Sequence, residues 1–199
     1  MRAEQSKPGC ALDEVRFIEA ALRNPINRII LERLPMLGLN DVWLVSGALF
    51  QTVWNCLTGR SPDYGIKDYD IFYFDPDTSW AAEDAAIRRA AACLADVNAR
   101  IELRNQGRVH LWYTEKFGTP YPPLRRARDG IDRFLAVTAQ VAMAPAGGGF
   151  QLYAPYGLDD VAALTVRPHR CLNFRADLYN AKAASWKSRW PELTILPAA

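Results

Sequence analysis

No two of the four cysteines stand close enough to build a zinc site: Cys10, Cys56, Cys93 and Cys171 are scattered, without a C-x-x-C pair. Cys56 and Cys93 fall in apolar helical patterns and are expected as buried thiols. The stretch Met1 to Pro8 is polar and lacks the apolar centre of a signal peptide. No apolar run is long enough to cross a bilayer. A formal net charge of +2 gives no broad basic field for nucleic acid. Two local basic clusters, Arg125-Arg126-Arg128 and Arg167-His169-Arg170, read as solvated surface. There is no internal repeat and no low-complexity segment. These absences point to a cytoplasmic protein with no membrane and no clear nucleic-acid partner.

What is present suffices for a sizeable core: half of the 199 residues are hydrophobic. That length suits a single domain, 1–199, made of a helical buttress at about 11–35, a core at about 42–115 and an extension at about 120–199. Leu12, Val15, Ile18, Ala21 and Leu22 recur at helical spacing. Asn24-Pro25 then caps a second helix that Pro35 and Gly38 close. Val42-Trp43-Leu44-Val45 is a continuous apolar run, expected as a strand buried on both faces. It passes through Ser46-Gly47-Ala48 into a helix ending near Gly59. A strand that turns through glycine into a helix gathers backbone N–H groups at the positive helix end, where phosphate binds.

After a Pro- and Gly-punctuated loop comes Lys67-Asp68-Tyr69-Asp70-Ile71-Phe72-Tyr73-Phe74-Asp75, a strand by its β-branched and aromatic content. Alternation puts Asp68 and Asp70 on one face. Neighbouring carboxylates repel unless a proton or cation lies between them, and oxygen-only ligands suit Mg²⁺ or Mn²⁺. A long Ala-rich helix, Trp80 to about Ala95, follows. Ala99–Arg104 and Arg108–Tyr113, separated by Asn105-Gln106-Gly107, predict a hairpin that sets Glu102 opposite His110. Val137–Ala144 and Phe150–Tyr153 predict a second hairpin, and Phe174–Lys187 a last helix carrying Leu178, Ala181 and Trp186. The expected fold class is α+β: a mixed sheet with helices packed on it, an N-terminal helical pair and a second β-hairpin.

The stretches VSGALFQTVWN and KDYDIFYFD, with a later acid, resemble the DNA polymerase beta nucleotidyltransferase superfamily, whose core is an hG[GS] turn, a Dh[DE]h strand and a third carboxylate. Together with RIELRNQGRVHLWY, YAPYGLDD and the Trp186–Leu193 region, they are similar to a bacterial nucleotidyltransferase-like family of that superfamily, from about Val42 to Leu193. The resemblance implies a mixed sheet of the nucleotidyltransferase type and transfer of a nucleotidyl group from an NTP to a hydroxyl on a small molecule or protein. It implies that Asp68, Asp70 and Glu102 are catalytic and hold Mg²⁺ or Mn²⁺, Glu102 also taking the hydroxyl proton. Gly47, Ala48, Lys67, Arg108 and His110 form the expected nucleotide-binding set. The chain departs from the superfamily pattern at three points: Ala48 replaces Ser or Gly, the loop before Asp68 is long, and the third acid is Glu. Ala48 motivates an alternative, a nucleotide-binding or regulatory module without catalysis. A metal-dependent glycosyltransferase, which also uses Asp-x-Asp, ranks last because only one strand-helix unit precedes the motif.

Overall fold

The Asp13 carboxylate accepts from the Arg16 N–H and starts helix α1 (Glu14–Ala21). Asn24 does the same for α2 (Pro25–Arg33), whose first-turn proline gives up no needed donor. The computed structural model describes residues 12–198; the Met1–Pro8 stretch and Cys10 lie outside the described residues. The helical pair is more than a cover. Asn24 and Asn27 are fully buried, and their amides bond to Thr52, Tyr69 and the Ala48 carbonyl. Unpaired, those groups would each lose about 1–3 kcal/mol, so the network fixes where the next helix begins.

Strand β1 (Trp43–Val45) is buried on both faces, as its apolar run requires, and α3 (Gly47–Leu57) follows it directly. Next come β2 (Tyr69–Tyr73), α4 (Trp80–Cys93) and β3 (Ile101–Asn105). Beyond β3 lie α5 (His110–Phe117) and α6 (Ala127–Ile131), then the strands β4 (Ala142–Ala146) and β5 (Gly149–Tyr153). Helix α7 (Asp159–Ala162), strand β6 (Thr165–Val166), helix α8 (Ala176–Lys187) and strand β7 (Thr194–Ile195) complete the order.

The main sheet runs β3-β2-β1-β4-β5, with β2 and β3 parallel and the other neighbours antiparallel; β6 and β7 form a small parallel pair. Leu44, Ile71, Leu103 and Met143 enter the large core, along with Phe50, Trp54 and Trp186. Trp43, Val45, Ala142 and Ala144 point the other way, toward α6. Asp70 and Glu102, opposite in parity to Ile71 and Leu103, share that second face. The mixed α+β fold with its N-terminal helices and the β4–β5 hairpin agrees with expectation.

The first hairpin does not form. Arg108–Tyr113 turns into α5, and among the described residues β3 is an edge strand paired only with β2. Tyr113 and Phe117, four residues apart, stack at 4.6 Å, a contact that helical spacing makes and a strand does not. Asn105 also holds the chain to β2 instead of to a returning strand. Its Oδ1 accepts from the N–H groups of Asp75 and Gly107, and the Gln106 N–H bonds to the Tyr73 carbonyl. A Cβ on Gly107 would meet the Asp75 carbonyl at 2.5 Å, so glycine serves close backbone approach here. Cys56 and Cys93 are half-buried free thiols, as is Cys171.

Candidate active site

The bend after β1 is the strained point of the site. Ser46 has φ 54° and ψ −114°, backbone that non-glycine residues rarely adopt, and its N–H is tied to the Val141 carbonyl at 2.7 Å. This torsion aims the start of α3 across the end of β2. Gly47 and Ala48 occupy the first helical positions, whose N–H groups have no partner within the helix. Gly47 lines the cleft beyond the bend; the Ala48 methyl is buried in the core. The missing Ser or Gly at position 48 therefore leaves only a backbone N–H, while Ser46 and Gln51 present side chains to the cleft.

Asp68 and Asp70 face the same cleft, of about 190 Å³, together with Lys67. Parallel pairing sets Asp70 directly beside Glu102 in the sheet, but Asp68 and Asp70 line the cleft and Glu102 does not. Burial, reinforced by the charges of Asp68 and Glu102, pushes the Asp70 carboxyl up to about 6, against the pull of Lys182 and Arg104. Glu102 is engaged by Arg100 and Arg104. Among the described residues no three His, Cys, Asp or Glu side chains are already placed to hold one metal ion. The donor chemistry suits a hard divalent cation: Asp68 and Asp70 offer carboxylate oxygens to the cleft, while Glu102 is held by Arg100 and Arg104.

Sequence reasoning missed the opposite wall. Lys182, Ser185 and Arg189, spaced three and four residues apart on and just after α8, line the cleft across from the acids. Arg189 bonds to the Ser185 carbonyl at 3.0 Å and to Gln51 Oε1 at 3.3 Å, also reaches the Gly65 carbonyl, and stacks on Trp190 at 4.8 Å. Burial lowers its pKa, and Asp68 offsets part of that effect. Two of the expected nucleotide ligands lie elsewhere. Arg108 pairs with Glu83 of α4 at 3.1 Å and covers the Trp80 ring, and neither Arg108 nor His110 lines the cleft. With no hairpin, His110 sits at the start of α5 and not opposite Glu102.

A family profile described as nucleotidyltransferase matches residues 32–195 of the chain. The chain belongs to this nucleotidyltransferase family. A solved NMR structure, described as revealing a CCA-adding enzyme head domain, is similar at 25% identity with a TM-score of 0.75, covering 94% of this chain and 98% of that one. No curated protein matches. The family match takes in the bend, both acid-bearing strands and α8, so the basic wall belongs to the shared unit and is not an appendage. No helix among the described residues is long and apolar enough to cross a membrane.

The basic wall had a signal in the sequence that the apolar reading of α8 obscured. Ala181, assigned to the buried stripe, is exposed; Tyr179, Ala183 and Trp186 are the buried positions. Shifting the stripe by those positions leaves Lys182, Ser185 and Arg189 together along one side of the helix. The long loop before Asp68 also has a use: it packs on the end of α8, with Tyr64 edge-on to Trp190 and Arg60 paired to Glu192 at 2.9 Å.

Proposed function

We propose that this chain transfers a nucleotidyl group from an NTP to a hydroxyl on a small molecule or a protein, with Mg²⁺ or Mn²⁺ as cofactor. One observation carries the reading: a single cleft joins the helix-leading bend at Gly47, the paired acids Asp68 and Asp70, and the basic groups Lys67, Lys182 and Arg189. A triphosphate needs all three kinds of partner.

In this reading the N–H groups of Gly47 and Ala48, at the positive end of α3, receive the phosphate tail. Ser46 and Gln51 supply the side-chain hydrogen bonds that Ala48 lacks. Lys67, Lys182 and Arg189 neutralise the leaving pyrophosphate. A divalent cation bound by Asp68 and Asp70 would supply charge at the reacting phosphoryl group. Glu102, freed from Arg100 and Arg104, joins that site and accepts the proton of the attacking hydroxyl. Because the remaining acid-free wall is basic, substrate anions enter an attractive field.

The hold of two arginines on Glu102 favours a second reading, a nucleotide-binding module that does not turn over. Calorimetry with Mg²⁺ and each NTP separates the two. Asp70→Asn is expected to weaken Mg²⁺-dependent NTP binding at least tenfold, which corresponds to about 1.4 kcal/mol. Equal binding by wild type and variant would remove the acids from the site. Pyrophosphate release with an acceptor mixture would rule out the inert module.

A further inference from the structure

A second, larger cavity of about 360 Å³ meets the cleft at Phe134, Lys182 and Trp186. Asp70 lies on the cleft side of that junction. Phe72, the next residue on the same face of β2, lies on the cavity side beside Arg104, its partner in β3. We propose that this cavity binds the acceptor, a neutral or weakly acidic ring compound of small-drug size that carries the reacting hydroxyl. The proposal rests on the nucleotidyl-transfer reading above and supplies its acceptor class.

Position comes first. In-line displacement sets the attacking and leaving groups on opposite sides of the phosphorus. The Gly47 bend and Arg189 hold the polyphosphate end of the cleft, so an attacker arriving from the Phe72 end comes from the far side. Its hydroxyl oxygen bonds to the α-phosphorus as the bond from that phosphorus to the α–β bridging oxygen breaks. Pyrophosphate leaves with that electron pair, and the hydroxyl proton passes to Glu102.

Chemistry comes second. The walls are aromatic: Tyr113 and Tyr121 lie 4.2 Å apart, Phe117 packs on Tyr113, and Phe72 stacks on Phe134 at 5.7 Å. Rings accept rings, and a volume of this order suits a small molecule, not a polymer. The charged residues lining the cavity are Arg104, Arg133 and Lys182, with no carboxylate among them, which disfavours a cationic acceptor. Asn173, 1% exposed, also lines it. Its amide donates to the Tyr113 hydroxyl at 2.9 Å and the Arg133 carbonyl at 3.2 Å, while its Oδ1 has no partner among the described residues. A buried acceptor left open in an aromatic chamber calls for a ligand that brings a donor.

The test uses the full chain and 4-methylumbelliferone, a planar phenol, with cationic kanamycin as the contrasting polyol. Wild type is expected to bind the phenol by fluorescence titration and to ignore kanamycin. Leu178→Trp, which fills the cavity from α8, is expected to weaken phenol binding at least tenfold while NTP binding by calorimetry stays within twofold. Asn173→Ala is expected to weaken it about fivefold, and serves if the tryptophan variant fails to fold. Pyrophosphate release is expected from ring alcohols and phenols, not from kanamycin. Absence of phenol binding in wild type, or binding unchanged in both variants, overturns the proposal. So does loss of NTP binding in a folded Leu178→Trp, which would give the cavity to the nucleobase. Failure of wild type to bind any NTP sinks the nucleotidyl reading itself, and is read without the phenol.

Discussion

Ser46 sits in a torsion that glycine would accept freely, and it lines the cleft. Ser46→Gly is expected to stabilise the chain by about 1 kcal/mol through relief of strain, partly offset by the greater freedom of the unfolded glycine chain. Ser46→Ala keeps the strain and loses only the hydroxyl. If that hydroxyl meets phosphate, Ser46→Ala weakens NTP binding without raising the melting temperature, and parallel melting and calorimetry curves tell the effects apart. Asp70 offers a pH signature. Its folded pKa, about 6, lies above the ordinary carboxylate value, so the metal-free chain binds a proton more readily when folded. The stabilisation that proton brings is present at low pH and is lost as pH rises from the ordinary value through about 6. Asp70→Asn is therefore expected to melt higher than metal-free wild type at pH 7.5, by on the order of 1–3 kcal/mol, and to differ little at pH 4. Added Mg²⁺ should raise the melting point of wild type alone. At this scale the sequence was informative where a residue's chemistry is local. The spacing of Asp68 and Asp70 sets a shared face whatever lies around them, and both acids do line the cleft. Ser46's torsion depends on where Val141 holds it, which no local pattern states.

Helix α8 is the element that the sequence concealed. Its apolar stripe and its basic stripe interleave, so a periodicity reading finds the first and passes over the second. Lys182 is exposed and lies over the Trp186 ring, whereas Arg189 is tied by hydrogen bonds to Gly65, Gln51 and Ser185. The two basic groups should thus respond differently to removal. Lys182→Ala is expected to weaken NTP binding severalfold and leave the melting point within about 0.5 kcal/mol. Arg189→Ala is expected to lower both, because it strips partners from buried backbone and side chains. A salt titration sharpens the comparison: the Lys182 contribution should shrink as ionic strength rises, since an exposed charge is screened. The hairpin mistaken at Arg108–Tyr113 has a similar origin. An alternating run reads as a strand until aromatic contacts four residues apart, Tyr113 on Phe117, decide for a helix. Gly107, taken for a turn residue, allows the close crossing under Asp75. Gly107→Ala is expected to destabilise by about 1–3 kcal/mol, since backbone and not a movable side chain stands in the way, and a denaturant midpoint measures it.

Across the whole molecule, the mixed sheet could be anticipated because β1, β2 and β3 announce themselves by composition, and the β4–β5 hairpin by its glycines; the order β3-β2-β1-β4-β5 could not. The closing of the site could not, because it joins parts of the chain far apart in sequence. Trp190 is fully buried, donates to Asn55 Oδ1 at 2.8 Å and packs edge-on against Trp54. Trp190→Ala is expected to cost about 3–5 kcal/mol and to loosen the loop that carries Gly65, so NTP affinity should fall with stability. Proteolysis of that loop, compared in wild type and variant, would display the loosening directly. Arg189 and Trp190 meet residues more than a hundred positions earlier in the chain. Every residue of the main sheet precedes Arg189 and Trp190 in the chain, since β5 ends at Tyr153. On the proposed function, the capacity for nucleotide would wait for Arg189 and Trp190 to reach Gln51, Asn55 and Gly65. A chain cut before α8 would lack both the basic wall and the core contacts of Tyr179, Trp186 and Trp190.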